Sequence, residues 1–330
     1  MLNGVSGDED AVREYILRQI TPLADDITVD NTGSVIALKK GSRPAPRKLM
    51  VSAHMDEVGL IVTYICDDGM LRFDTVGGID QRVLYGRQVL IGSGCVRGVI
   101  CVVPVHLSSS EERSKVPDVN KMYIDIGASS RDEAKKLVSE GDFCFFDTQF
   151  EKFGDGLLKG KALDDRAGCA VLIELMKQEF DTDVYFVFTT MEEVGLRGAG
   201  CAAYTVAPEM AIVVESTTAA DIAGVDDDAQ VCRVGEGAVI SFMDRRTIYD
   251  REMYDIALDL ARIKGISAQV KQAVAGGNDA GAIQQTRSGV RTLAVSLPCR
   301  YLHSPASLIA EKDLQAVFEL VCELIKTLTL

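Results

Sequence analysis

Leu49-Met-Val-Ser-Ala-His54-Met-Asp56 is a nearly unbroken apolar run that stops at a histidine and an aspartate. A short apolar run of this kind fits a strand buried on both faces, as in the parallel sheet of an α/β fold. Four more stretches run along a strand or into a helix and stop in the same way. They are Lys161-Ala-Leu-Asp164-Asp165-Arg166, Phe188-Thr-Thr-Met-Glu192-Glu193, Ala211-Ile-Val-Val-Glu215 and Arg300-Tyr-Leu-His303-Ser-Pro. In open α/β sheets, ligands collect outside the carboxyl ends of the strands. Two histidines and several carboxylates at that edge describe a hydrolytic metal site.

Outward from these stretches the pattern divides in two. The N-terminal turn residues are followed by Val12, Ile16 and Ile20 on one helical face. Ser34 to Leu38 reads as a strand. From Tyr64 to Gly156 short strand-like runs alternate with glycine turns, including Gly77-Gly78, Gly86, Gly92 and Gly98. That texture predicts a small β-barrel. One helix is expected from Ser130 to Ser139, and polar Ser108 to Asn120 reads as a mobile loop. After Gly160 the α/β rhythm returns. Helices are expected over 166–177, 250–264 and 311–327, with strands over 184–188, 210–214 and 292–297. The expected organisation is an α/β domain from 1–63 and 157–330, with a β-barrel inserted over 64–156.

The composition narrows the function classes. With 330 residues and 47% hydrophobic content the chain can build a large core. The net charge is 35 − 49 = −14. Nucleic acid and anionic membrane surfaces are therefore not expected partners, since phosphate binding needs a basic face. The nine cysteines are scattered singly without a CxxC pair. They read as thiols in a reducing cytoplasm, in a chain with no leader peptide. No apolar run approaches the roughly 20 residues that span a membrane.

The strand-end residues have a coherent chemistry. The chain has three histidines, and His54 and His303 both sit beside carboxylates. His54 and Asp56 are two apart on a strand and face the same way. Asp56 can accept the second imidazole N–H and fix the tautomer. One of Asp164 and Asp165 is expected to cap the following helix, leaving the other free to ligate and bridge two divalent ions. Glu192 and Glu193 can divide the labour, one ligating while the other holds a nucleophilic water as general base. Glu215 without a cation would be a costly unpaired carboxylate at the core edge.

These residues resemble the co-catalytic metallo-aminopeptidases of peptidase family M42, the tetrahedral and glutamyl aminopeptidases. The stretches that carry the resemblance are Ser52-Ala-His54-Met-Asp56-Glu-Val-Gly, Lys161-Ala-Leu-Asp164-Asp165-Arg166, Glu192-Glu193-Val-Gly-Leu-Arg-Gly-Ala, Gly276-Gly-Asn-Asp279-Ala-Gly and Arg300-Tyr-Leu-His303-Ser-Pro. Ile124-Asp-Ile-Gly-Ala-Ser-Ser resembles the inserted domain of that family. The resemblance implies a doubly wound, mixed-sheet catalytic domain, the inserted barrel and a cytoplasmic homo-oligomer, often a hollow dodecamer. It also implies two divalent ions. His54, Asp164 and Glu215 would hold one; Asp164, Glu193 and His303 would hold the other. Glu192 would be the general base and Asp56 the orienting acid. Zinc is expected, with cobalt and manganese as alternatives. Three positions depart from the family pattern. Glu215 stands where Asp is usual, Asn278 where Thr is common, and Ile79 where an aromatic is frequent.

The expected activity is removal of N-terminal residues from short peptides. Its rivals are a metal-dependent deacylase of N-acyl amino acids, a metal-bearing assembly subunit without activity, and an endoglucanase. A glycosidase needs a carboxylate pair but neither histidine. No Gly-x-Ser-x-Gly elbow supports a serine nucleophile. His106, in Val103-Pro-Val-His-Leu, reads either as a structural residue of the barrel or as a cleft residue.

Overall fold

The structure, a computed structural model, describes residues 2–329. Helix α1 (Asp10–Ile20) buries Val12, Ile16 and Ile20, roughly one residue per turn. A hairpin of β1 (Asp26–Val29) and β2 (Val35–Lys39) leads to β3 (Leu49–His54), in which every residue is buried. Six strands follow: β4 (Gly59–Ile65), β5 (Leu71–Val76), β6 (Gln88–Ile91), β7 (Val96–Cys101), β8 (Tyr123–Asp125) and β9 (Phe143–Phe146). They close into a barrel in the order β4-β5-β8-β7-β6-β9. Two short helices, α2 (Ser110–Arg113) and α3 (Arg131–Ala134), lie in its connections.

The hairpin β10 (Glu151–Phe153) and β11 (Leu157–Gly160) returns the chain to the α/β part. There α4 (Leu163–Met176), β12 (Val184–Thr189), α5 (Arg197–Val206) and β13 (Met210–Thr218) alternate. They are followed by β14 (Ala238–Ile240), α6 (Arg251–Lys264), β15 (Ala268–Val270), α7 (Ala280–Ile283), β16 (Arg291–Cys299), β17 (Ser307–Ala310) and α8 (Glu311–Leu328). The eight-stranded sheet runs β1-β2-β12-β3-β13-β16-β14-β15. Its four central strands, β12, β3, β13 and β16, are parallel. Helices α4 and α8 cover one face, and α5 and α7 cover the other. The central strands are therefore apolar along both faces, as expected for such a sheet. Strands β12 and β13 flank β3 on opposite sides, so the chain changes direction across β3 and leaves a crevice at the strands' carboxyl ends.

Several boundaries differ from the sequence reading. The barrel begins at Gly59, so the expected break at residue 64 falls inside β4. Gly59 permits this early entry, because a Cβ there would stand 2.1 Å from Val5 Cγ2. The helix expected over 130–139 is the four-residue α3 followed by turns. The polar stretch 108–120 carries structure: α2, with a capping box between Ser109 and Glu112, and a 3₁₀ turn over Val119–Lys121. Ile79 packs against the barrel core. Strand β13 runs on to Thr218, so Glu215 lies within it. Its pairing with β3 ends at Val213, whereas its pairing with β16 continues. Glu215 thus lies past the last pair with β3, its carboxylate beside His54 at the end of that strand.

Candidate metal centre

His54 is the last residue of β3 and is 2% exposed. Its Nδ1 lies 3.1 Å from the Asp56 carbonyl oxygen, which only accepts, so Nδ1 carries the proton there. That leaves Nε2 facing Asp164 Oδ1 at 3.3 Å and Glu215 Oε1 at 3.4 Å. On the other side, His303 Nε2 lies 3.3 Å from Asp164 Oδ2 and 3.2 Å from Glu193 Oε2. The two oxygens of Asp164 therefore each face a different histidine. The donor atoms of His54, Asp164 and Glu215 form one compact group, and those of Asp164, Glu193 and His303 form a second. A third group joins His54 to Glu192 and Glu193.

The backbone at these positions is specialised. Ala162, Met191, Tyr301 and His303 all adopt the left-handed region, next to or at the candidate ligands. Strain of this type gathers at functional sites, where surrounding structure over-determines it. Asp164 and Asp165 have non-helical dihedrals, and the regular helix starts at Arg166. Asp165 is the capping member of the pair: its Oδ1 accepts from Gly168 N at 3.1 Å. Gly168 must lack a side chain, since a Cβ would stand 2.3 Å from Asp165 Oδ2. Arg166 Nε donates to the Met55 carbonyl at 2.6 Å and ties α4 to the end of β3.

Asp56 has wider reach than the sequence shows. Its Oδ1 accepts from Glu192 N at 3.0 Å and its Oδ2 from Glu193 N at 3.1 Å and Ser6 Oγ at 2.6 Å. Burial pushes its carboxyl upward, but hydrogen bonds from His54, Ser6 and Glu192 outweigh burial and hold it below the usual range. One buried carboxylate thus aligns the histidine and the glutamate turn.

The other carboxylates carry excess charge. Burial and then Asp164 raise Glu193 to about 8. Burial, with Asp164 adding to it, raises Glu215 to about 7. Burial drives Glu192 well above its ordinary value, and Glu215, Asp279 and Glu193 add to the shift. For His303, burial acts downward, but Asp164 and Glu193 outweigh it and bring the group to about 9. Burial also opposes protonation of His54, and Glu215, Asp164 and Asp56 overcome it. Burial acts to raise Asp164, but His303 and His54 beside it outweigh burial and hold the carboxyl well below its ordinary range. Cations would relieve this crowding of acids.

The donor set fits divalent metal. Ligands about 2.0–2.1 Å from a tetrahedral zinc ion lie about 3.3 Å from one another. The four histidine–carboxylate separations run from 3.2 to 3.4 Å.

All seven residues singled out in the sequence, His54, Asp56, Asp164, Glu192, Glu193, Glu215 and His303, meet in this crevice. His106 does not; it lies on an exposed 3₁₀ turn over Val105–Leu107. Asn278, expected near the substrate cleft, lines it; two further neighbours, Asp279 and Lys271, have no role in the sequence reading. Asp279 is 1% exposed and accepts from Thr189 Oγ1 at 2.5 Å. Asn278 and Lys271 line the cavity beside Glu192 and Glu215. Lys271 directly follows β15, a strand-end signal like that of the acids, but a cation is not a ligand type.

Comparison with known proteins agrees with this architecture. The sequence model for M42 glutamyl aminopeptidase matches residues 33–320. A putative aminopeptidase of Acetivibrio thermocellus is 40% identical, over 98% of this chain and 94% of its own. The crystal structure of a TET aminopeptidase from a marine sediment archaeon of the Thaumarchaeota superposes with a TM-score of 0.95 at 35% identity, covering 100% of this chain and 94% of that one. The TET1 peptidase of Pyrococcus horikoshii, described as assembling into a tetrahedron or a large octahedral shell, gives 0.86 at 36% identity over 99% and 96%.

Proposed function

The chain belongs to the M42 glutamyl aminopeptidase family and is a metal-dependent aminopeptidase, and from that premise we propose how its residues divide the work. It removes N-terminal residues from short peptides with two divalent cations. His54, Asp164 and Glu215 hold one, and Asp164, Glu193 and His303 hold the other. The observation that carries this reading is the carboxylate of Asp164, each of whose oxygens faces a different histidine. When bound, such cations supply Lewis acidity to a water molecule and to the scissile carbonyl.

The rest is done by the chain. Glu192 takes the proton of the attacking water and passes it to the leaving amine, a role suited to a carboxyl whose pKa burial has raised. Asp56 keeps His54 in the Nδ1–H tautomer and fixes the Glu192–Glu193 turn through two N–H groups. The remaining carboxylates favour a free α-amino group at the cleft edge.

Zinc is the proposed metal on its histidine and carboxylate preference, with cobalt and manganese next. The assembly of the Pyrococcus horikoshii TET1 peptidase into a tetrahedron or an octahedral shell supports a homo-oligomer, and the related PhTET1-12s structure, a dodecamer, supports that form. The nine free thiols support a cytoplasmic setting. Among the described residues no helix is long and apolar enough to cross a membrane. The deacylase, endoglucanase and inactive-subunit readings fall behind the family match.

The test is a panel of aminoacyl-p-nitroanilides, assayed after chelation and after adding back zinc, cobalt or manganese. Chelation should abolish hydrolysis and one of the metals should restore it. Activity indifferent to chelation, or confined to β-glucan or N-acyl amino acids, would overturn the proposal.

A further inference from the structure

The segment before α1 is pinned across the end of β3 and the glutamate turn. Gly4 N donates to Glu57 Oε1 at 3.1 Å, and Ser6 N donates to the Glu57 carbonyl at 3.2 Å. Ser6 Oγ donates to Asp56 Oδ2 at 2.6 Å. Glu9 occupies the capping position of α1, yet its side chain makes no capping bond. Its Oε1 instead accepts from Gly7 N at 2.9 Å and from Met191 N at 3.1 Å. Glu9 is 4% exposed and forms no ion pair among the described residues.

A carboxyl buried without a cation is costly unless donors meet it, and here the donors are backbone N–H groups. The residue it reaches is a special one. Met191 has φ of 54°, a region sparsely populated by residues that carry a side chain. It forms the kink between the end of β12 at Thr189 and the Glu192–Glu193 pair. The N–H groups of Met191, Glu192 and Glu193 are taken in succession by Glu9 Oε1, Asp56 Oδ1 and Asp56 Oδ2. Two buried acids thus hold three consecutive N–H groups, and Ser6 ties the segment carrying Glu9 to the other acid. Such a grip matters for rate, because misplacing a catalytic group by about 1 Å can cost roughly 100-fold.

We infer that Ser6 and Glu9 are positioning residues for the general base: the segment from Ser6 to Glu9 is a strap that holds the Met191 kink and, through Asp56, the Glu192–Glu193 turn. Glu9 acts on a residue 182 positions away in the chain, so the extreme N-terminal segment belongs to the catalytic apparatus. The inference rests on the reading of Glu192 as general base and deepens it. Asn3 supplies the contrast. Its Oδ1 accepts from Lys161 Nζ at 2.8 Å, so it tethers the same segment without a bond to the turn.

The experiment compares wild type with Ser6→Ala, Glu9→Ala, Glu9→Gln and Asn3→Ala. It reads kcat and KM on the best-cleaved aminoacyl-p-nitroanilide, with metal in excess and well below each variant's Tm. Ser6→Ala and Glu9→Ala should lower kcat roughly 10- to 100-fold with KM nearly unchanged, the signature of an interaction that serves the transition state. Glu9→Gln keeps an oxygen acceptor for Met191 N and should recover most of the loss. Asn3→Ala should lower Tm and leave kcat at the wild-type level. A second readout needs no turnover. Amide hydrogen exchange of the metal-free protein, followed in a peptide over 189–196, should speed up in Ser6→Ala and Glu9→Ala but not in Asn3→Ala. Wild-type kcat in Glu9→Ala, an equal loss in Asn3→Ala, or unchanged exchange over 189–196 would each overturn the inference. If Glu9→Ala fails to fold, Ser6→Ala carries the same decision. If the wild type cleaves no anilide, the aminopeptidase reading fails, and hydrogen exchange still decides whether the strap holds the turn.

Discussion

Asp56 shows what a single side chain does in this crevice. It contacts His54, accepts both glutamate N–H groups and takes the Ser6 hydroxyl, so it couples three parts of the chain. Glu192 and Glu193 share this anchor but point to different tasks. Glu192→Gln should lower turnover roughly 10²–10⁴-fold, the usual cost of losing a general base. Metal content should stay at the wild-type level; metal analysis showing an empty site would contradict the division of roles. Asp164→Asn should lose both ions, whereas His303→Ala should weaken chiefly one. Anomalous scattering from crystals of each variant counts them, and two retained ions in Asp164→Asn would refute the bridge. Residue types revealed the candidate ligands in the sequence, because histidine and carboxylate carry their chemistry in their names. The grip of Asp56 on two backbone N–H groups was not legible, since those donors have no residue signature.

At the scale of elements, the glutamate turn is held by the way α5 leaves β12. The N–H groups of Gly195 and Leu196 donate to the Glu192 carbonyl, and Gly198 N donates to the Thr190 carbonyl. Gly198 makes the close approach possible, because a Cβ there would stand 2.5 Å from Thr190 O and 2.6 Å from Ser34 Oγ. Gly198→Ala should therefore cost about 1–3 kcal/mol by overpacking and should reduce metal retention. Gly200 lies two residues along the same helix, and its Cβ would find its nearest neighbour 4.0 Å away. Gly200→Ala should leave stability unchanged or raise it by about 0.5–1 kcal/mol. Thermal melts and metal analysis of the pair check the contrast. Equal effects would mean that the seat of α5 does not hold the turn. Element types followed from apolar runs and periodicity, as β3 and α6 illustrate. Their ends did not. The extension of β13 past Glu215 depends on continued pairing with β16, which a local pattern cannot contain.

For the whole molecule, the site links stability, pH and metal. Without cations, Glu215, Glu193 and His303 titrate at about 7, 8 and 9. All three lie above their ordinary values, so the folded chain binds more protons than the unfolded chain across this range. Stability must then fall as pH rises through it. The depressed groups Asp56 and Asp164 act in the opposite sense, but only in acid. Cations replace those protons, so the gain in Tm on adding metal should grow from pH 6 to pH 8.5. A chelated protein whose Tm is flat or rising over that window would contradict this electrostatic account. The division into an α/β body and a barrel was legible from texture alone, because glycine-punctuated short runs differ from long alternating ones.

The central claim is that carboxylates and two cations at one sheet edge recognise a free peptide N-terminus. The most direct measurement is mass spectrometry of matched peptides, one with a free N-terminus and one N-acetylated, incubated with the metal-loaded enzyme. Stepwise loss of residues from the free peptide alone is the predicted result; equal cleavage of both, or internal cuts, would contradict it.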